Sequence, residues 1–307
     1  MTNYAKLSAK PKHFHALTGY TLVEFQALLP EFERSFLTHM QAFTLEGKPR
    51  RRRRFVEYRT SPLPRMADKL LFILMYLRKA TTQDIFGEVF AMPQPVANKW
   101  IHVLHPCLNL ALAQAGELPV RTAVELPHPT TEQPLFFQDG TERPILRPKD
   151  KDAQGTFYSG KKKRHTVKNN VLVNEQAKVT LLTPTCEGKK HDKKISDEAA
   201  FALPEGSRLC QDTGFQGFTL PGVTILQPKK KPRGKALTPE EKAQNRLISS
   251  LRIRVEHAIG GVKRYRIVKD QLRNWKTGFR DWVMETCCGL HNFRLNFRPW
   301  HYAPILI

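Results

Sequence analysis

Leu135-Phe136-Phe137-Gln138-Asp139-Gly140-Thr141-Glu142 is the stretch on which the fold turns. It is a short apolar run entered from Pro134 and ended by a carboxylate, the pattern of a buried strand that delivers an acid to the end of a sheet. A second acid, Asp212, follows Leu209-Cys210-Gln211 and precedes Thr213-Gly214-Phe215-Gln216-Gly217. A third, Glu256, lies in Arg252-Ile253-Arg254-Val255-Glu256-His257-Ala258-Ile259-Gly260-Gly261-Val262-Lys263, a basic stretch of helical character. Alone, Asp139-Gly140 reads as a hairpin turn, Asp212-Thr213-Gly214 as a loop and Glu256 as a surface partner of Arg252 at i,i+4. Jointly, in a very basic chain, they point to a magnesium site that cuts a phosphate backbone.

The chain has 307 residues, with 50 Lys+Arg against 28 Asp+Glu and a formal charge of +22. Such a field concentrates polyanions, so nucleic acid is the expected partner. No run has the apolar length of a membrane span, and Met1-Thr2-Asn3-Tyr4-Ala5-Lys6 lacks a signal-peptide core. Cys107, Cys186, Cys210, Cys287 and Cys288 show neither a CxxC pair nor zinc spacing, which suits buried free thiols in a reducing compartment.

Working outward from Asp139, the period-2 signal predicts strands over 134–138, 166–173, 178–182, a short run ending near Gln211, and 222–226. A helix is expected over 189–203 after the third strand, a long one from Thr238 to about Ile259, and a last one over 280–296. Three strands, helix, strand, strand, helix is the element order of a ribonuclease-H-like fold. In that fold the first strand is central and the fourth lies beside it, so Asp139 and Asp212 should meet, with the long helix bringing Glu256 to the same edge. Two Mg²⁺ ions about 3.5–4 Å apart could then serve an in-line displacement. Arg252, Glu256 and Lys263 are expected on one helical stripe gripping phosphates beside the metal, with Gly260 leaving room for substrate. His191-Asp192 is expected to cap the helix that follows rather than approach the metal. Trp275 and Trp282 are expected to pack the last helix rather than stack on a flipped base.

Upstream, Thr21 and Glu24 have capping-box spacing before a helix. Arg50-Arg51-Arg52-Arg53-Arg54 is a like-charge block suited either to a phosphate-binding arm or to a solvated tether. Residues 66–114 read as three helices, the last two in a helix-turn-helix pattern around Ala91-Met92-Pro93. Gln94, Asn98 and Lys99 fall on its outer face, within reach of DNA, while Trp100, Val103 and Leu104 turn inward. Lys161, Lys162, Lys163 and Arg164 are placed to track a DNA backbone. The expected class is therefore α+β: an N-terminal helix and basic arm (1–60), an all-α helix-turn-helix domain (61–115), a proline-rich linker (116–133) and a ribonuclease-H-like mixed-sheet catalytic domain (134–307).

Several blocks in this order resemble a known family. They are Gln138-Asp139-Gly140-Thr141-Glu142-Arg143-Pro144-Ile145, Tyr158 to Thr166, Asp212 to Gly217, Arg254-Val255-Glu256 and Cys288-Gly289-Leu290-His291-Asn292-Phe293. Over about residues 17–297 the chain resembles DDE-superfamily transposases of bacterial insertion sequences, in the branch akin to the Harbinger elements. That resemblance implies Asp139, Asp212 and Glu256 as catalytic and metal-binding triad, with Mg²⁺, or Mn²⁺ as substitute, in two positions. It implies cut-and-paste transposition on double-stranded terminal inverted repeats and target DNA. It further implies a homodimer or higher synaptic assembly, and a cytoplasmic place at the bacterial nucleoid with no membrane. A wider helix signature has Tyr where this chain has Ser249, so hairpin-end chemistry relying on that tyrosine is not implied. The competing readings are a domesticated DNA-binding regulator without cleavage and a nuclease acting on RNA or hybrids. The intact triad argues against the first and a helix-turn-helix suited to duplex DNA against the second.

Overall fold

A computed structural model describes residues 2–51, 54–57, 60–121, 134–234, 236–274, 276 and 278–302. Arg52, Arg53, Trp275 and most of the expected linker, 122–133, lie outside the described residues. The chain forms two compact units, Met1–Leu118 with Lys263–Asp270, and Pro119–Val262 with Gln271–Ile307.

The first unit is helical: α1 Tyr4–Ser8, α2 Pro11–Thr18, α3 Leu22–Ala42, α4 Met66–Lys79, α5 Gln83–Phe90 and α6 Gln94–Gln114. The capping box is formed, with the Thr21 N–H donating to Glu24 Oε2 at 2.6 Å and the Glu24 N–H to Thr21 Oγ1 at 3.3 Å. Behind it Phe25, Leu28, Phe32, Phe36 and Met40 make one buried stripe at helical spacing. The central helix is α4, whose run from Leu70 to Leu77 is buried all round. Lys69 is buried with it because its ammonium is satisfied by Leu63 O at 2.6 Å and Glu57 at 2.8 Å. Trp100, Val103 and Leu104 turn inward, as the sequence pattern requires. The short helices α1 and α2 were not anticipated; their one-to-two-turn lengths carry little periodic signal.

The second unit is built on a mixed sheet. Its elements are β1 Leu135–Pro144, α7 Lys151–Phe157, β2 Tyr158–Ser159, β3 Arg164–Val173, β4 Val179–Leu182, β5 Cys186–Glu187, α8 Asp192–Ala199, β6 Arg208–Cys210, β7 Thr224–Leu226 and α9 Pro239–Val262. The strand order is β2-β3-β1-β6-β7, with β4 and β5 also pairing along β3. β1 runs antiparallel to β3 and parallel to β6, which is parallel to β7. Phe136, Leu172 and Leu209 bury one face under Phe201, Leu203, Phe215 and Phe218. The other face lies under α9, where Arg254 stacks over Phe137 at 5.6 Å and Cys210 Sγ lies 3.9 Å from Ile248 O.

Beyond α9 the chain passes through the first unit as α10 Arg266–Lys269 and returns as α11 Phe279–Leu295. On α11, Asn292 clamps the edge of β4, accepting from the Val179 N–H at 2.8 Å and donating to Val179 O at 2.9 Å. His291 Nε2 reaches Ala177 O at 2.9 Å in the preceding turn, so the Leu290-His291-Asn292 block is structural. Of the two glycines ending α9, Gly260 faces open space, whereas a Cβ on Gly261 would lie 2.3 Å from His291. The second glycine is thus the one that close helix packing demands.

Candidate functional site

β1 is longer than its apolar run suggests. It continues through Asp139 and Gly140 to Pro144, paired with β3 in the register Asp139↔Val171 and Gly140↔Asn170. Asp139-Gly140 is therefore mid-strand, not a hairpin turn. The polar second half stays in the strand because its side chains find distant partners. Buried Arg143 donates to Asn169 Oδ1 at 2.7 Å, Thr185 Oγ1 at 2.9 Å and Arg280 O at 2.7 Å, while Glu142 accepts from Thr166 Oγ1 at 3.0 Å.

Against β6 the ladder stops earlier, at Phe137↔Cys210. Two residues further on each strand stand Asp139 and Asp212, so the acids occupy equivalent positions where the strands part. Each carboxylate accepts the N–H that follows it: Gly140 N to Asp139 Oδ1 at 2.8 Å, and Thr213 N to Asp212 Oδ1 at 2.7 Å. The second bond makes Asp212 the cap of a short 3₁₀ turn, Thr213–Phe215. One guanidinium from α9 spans the pair, with Arg252 Nη2 3.9 Å from Asp139 Oδ2 and Nη1 3.5 Å from Asp212 Oδ1.

The two acids differ in environment. Burial pushes the Asp139 carboxyl above its ordinary value of 3.8; Arg252 and the Gly140 N–H pull it back, and the charges of Asp212 and Asp192 add to the rise. Asp139 retains 25% of its side-chain exposure and Asp212 retains 43%. Glu256 is exposed, one turn beyond Arg252 on the same side of α9. Among the described residues no three His, Cys, Asp or Glu side chains converge closely enough to hold a metal ion. The strands thus bring Asp139 and Asp212 together, and Glu256 does not close a three-acid cluster with them.

Two hard carboxylates drawn to one cation are a donor set that suits Mg²⁺, which takes one or two carboxylates and completes its octahedron with water and phosphate oxygens. In this arrangement the Arg252 guanidinium is the cation that faces both carboxylates.

Asp192 is the neighbour that sequence reading set aside. His191 is the N-cap of α8 and makes no side-chain capping bond. Asp192, in the first turn, pairs with Lys168 at 3.1 Å and presses its carboxylate onto β1 so closely that a Cβ on Gly140 would lie 2.7 Å from its Oδ1. A side chain at 140 would therefore require the Asp192 carboxylate to move, a contact invisible in a local pattern. Gln138 and Gln211 were also passed over, although a polar residue at a buried strand position is a readable signal. Both are fully buried and hydrogen-bonded to each other.

The residues expected to meet DNA divide sharply. Lys161, Lys162, Lys163 and Arg164 are all exposed at the β2–β3 turn. In the first unit, Gln94 and Asn98 instead donate to Gln83 Oε1 at 2.6 and 3.0 Å, and Lys99 pairs with Glu46 at 3.1 Å. Arg50 is tied to Met40 O at 2.8 Å and Phe43 O at 3.2 Å, whereas Arg51 and Arg54 are exposed. Lys263 is not on the helical stripe of Arg252 and Glu256: α9 ends at Val262. It lines a cavity of about 350 Å³ in the first unit with Arg78, Lys79, Arg264, Arg266 and Lys269, where Asp270 is the one acid among the described lining residues. Crowding shows there, since burial, then the neighbouring Arg264 and Arg266, hold Arg78 below its ordinary value.

Trp282 is 45% exposed rather than packed into the last helix's core. His257 bonds the Tyr302 hydroxyl at 3.2 Å. The described cysteines are free, and burial lifts Cys107, Cys210 and Cys288 to about 12, which leaves them inert thiols. No described helix is long and apolar enough to cross a membrane.

Comparison with known proteins converges on one group. Residues 138–292 match the DDE superfamily endonuclease family. The chain is 28% identical over 230 residues to a probable transposase for insertion sequence element IS702 from Microchaete diplosiphon, covering 74% of this chain and 80% of that one. No solved structure matches.

Proposed function

The chain belongs to the DDE superfamily endonuclease family, and on that footing we propose that it is the transposase of an insertion sequence, cutting and joining double-stranded DNA at the element's terminal inverted repeats. The observation that carries this reading is the placement of Asp139 and Asp212 at equivalent steps past the β1–β6 ladder, facing one guanidinium. The flanking of β1 by β3 and β6 supports a ribonuclease-H-like catalytic domain over 134–307, joined by a linker at 116–133 to the helices of the first unit. The α5–α6 pair with its turn at Ala91-Met92-Pro93 supports a helix-turn-helix at 61–115, preceded by the basic arm of 1–60.

In this reading Asp139, Asp212 and Glu256 are the catalytic acids. Asp139 and Asp212 would hold a divalent ion, Mg²⁺, which would supply activation of the attacking oxygen and stabilisation of the leaving one. Arg252 draws the two carboxylates toward one point before DNA arrives, and its guanidinium is then free to take a phosphate oxygen. Glu256, exposed on α9 one turn from Arg252, approaches the centre from the DNA side. Lys161, Lys162, Lys163, Arg164 and the cations around Lys263 bind backbone phosphates, each neutralised phosphate adding about 0.9 to the log–log salt slope. Arg50 to Arg54 and Gln94, Asn98 and Lys99 are the further DNA contacts, the α6 residues after release from Gln83 and Glu46. Assembly on two element ends calls for a dimer or larger complex.

The test is cleavage of labelled duplexes ending in the inverted repeats that flank the gene, with Mg²⁺ or EDTA, for wild type and Asp139→Ala. Magnesium-dependent cuts at the repeat ends that vanish in the variant are expected. Tight binding without cutting, under Mn²⁺ as well, would assign the chain to DNA-binding regulation.

A further inference from the structure

The parallel register of β1 and β6 does not end with its last main-chain rung. After Phe137↔Cys210 the next facing residues are Gln138 and Gln211, and the step after those is Asp139 and Asp212. At the glutamine step the side chains replace the backbone: Gln211 Nε2 donates to Gln138 Oε1 at 2.7 Å. Gln138 Nε2 in turn donates to Ser196 Oγ at 2.8 Å, one helical turn along α8 from Asp192. Asn170 on β3 closes the network, donating to the same Ser196 Oγ at 2.8 Å and to the Asp192 carbonyl at 2.6 Å. Gln138, Gln211 and Asn170 are 0% exposed and Ser196 is 1% exposed.

Other partners pull the two strands apart at this point. The Gln211 N–H has turned to Leu226 O at 2.9 Å, extending β6 along β7, while β1 continues along β3. Among the described residues the amide–amide bond is the last hydrogen bond between β1 and β6 before the acids. A packing role would be filled by Leu or Met at less desolvation cost, since a buried amide is tolerated only when bonded. The Gln138 amide is bonded at both its oxygen and its nitrogen, whereas Gln211 is bonded through Nε2 and its Oε1 is buried without a hydrogen-bond partner among the described residues. A planar amide held at both ends fixes a distance and an orientation, which packing alone does not.

We propose that Gln138 and Gln211 form a side-chain rung that sets the separation of Asp139 and Asp212, with Ser196 as its anchor, so that both glutamines are positioning residues of the metal centre. The inference rests on the reading of the two aspartates as metal ligands. Supporting groups of this kind typically hold about 10–100-fold in metal affinity.

The experiment uses the full-length protein without DNA, with Mn²⁺ binding followed by electron paramagnetic resonance and folding by thermal melting in EDTA. The double variant Gln138→Met/Gln211→Met removes both amides at nearly constant length. It is expected to melt as a single cooperative transition and to bind Mn²⁺ about 10–100-fold more weakly than wild type. Wild-type affinity in that variant, with binding abolished by Asp139→Asn, overturns the rung and leaves the metal site standing. No Mn²⁺ binding by wild type, or undiminished binding by Asp139→Asn, removes the metal reading and the rung with it. If the double variant does not fold, Ser196→Ala decides: loss of the anchor must weaken Mn²⁺ binding, and unchanged affinity overturns the proposal.

Discussion

The strand-borne aspartates and the helix-borne glutamate are placed by different means. Asp139 and Asp212 are fixed by ladder register, by the N–H that follows each, and by a shared guanidinium. Glu256 is placed only by the rotation of α9 about its own axis. It is exposed, and the Arg252 side chain reaches the aspartates ahead of it. The difference teaches that a sheet brings two acids together without any ligand, the ladder fixing their positions and the Arg252 guanidinium offsetting part of the cost of holding like charges close. Glu256 has no such support, and in the proposed reading it joins only when DNA or metal is bound.

The comparison breaks most directly in the acids themselves. In the proposed reading Asp139→Asn and Glu256→Gln both lower repeat-end cleavage, by about 10²–10³-fold or more. They should part company in metal binding without DNA. At Mn²⁺ concentrations 100 times its Kd, a bound ion stabilises the fold by about 2.7 kcal/mol. Asp139→Asn should abolish that gain in denaturant titrations, and Glu256→Gln should retain most of it. Equal loss in both variants would show that the glutamate belongs with the aspartates before DNA arrives.

Arg252 sharpens the same contrast at smaller scale. Replacing it with Gln leaves two acids facing each other without their cation, and should cost about 1–2 kcal/mol of stability in EDTA. Saturating Mn²⁺ should recover that loss, since the metal supplies the missing charge. A deficit that persists in Mn²⁺ would mean that Arg252 stabilises by packing along α9 rather than by charge.

Much of this arrangement is legible in the sequence, and the remainder is hidden for identifiable reasons. The apolar runs before Asp139 and Asp212 set the facing strands, and Thr21 with Glu24 sets the start of α3, because these signals are local. The continuation of β1 past Gly140 is not local. Glu142 and Arg143 look like loop residues until Thr166, Asn169 and Thr185, 24 to 42 positions away, satisfy them. The glycine at 140 reads as a turn until the Asp192 carboxylate is seen against it. Lys263 keeps helical spacing with Glu256 in the sequence, yet the helix stops one residue short of it and the following segment packs on α4. Gln94, Asn98 and Lys99 look available for DNA until Gln83 and Glu46 are found holding them.

The smallest effect separates the two aspartates from each other. The Asp139 carboxyl is raised above its ordinary 3.8, chiefly by burial. A raised carboxylate means that the folded state binds the proton more tightly than the unfolded chain does. Stability from this group is therefore fully present below the unfolded value, and is lost as pH rises through the higher folded one. At neutral pH the charged Asp139 is thus a net cost to the metal-free fold, and a neutral side chain of the same shape removes it. Asp139→Asn should raise the melting temperature in EDTA at pH 7, and the gain should shrink to nothing as pH falls below 3.8. Asp212→Asn keeps an oxygen that caps the 3₁₀ turn and, at the more exposed of the two positions, should change the melting temperature less. Melting curves of both variants from pH 3 to pH 7 in EDTA decide the matter. A rise in both, or in neither, would put the two acids in the same environment and undo the asymmetry of the centre.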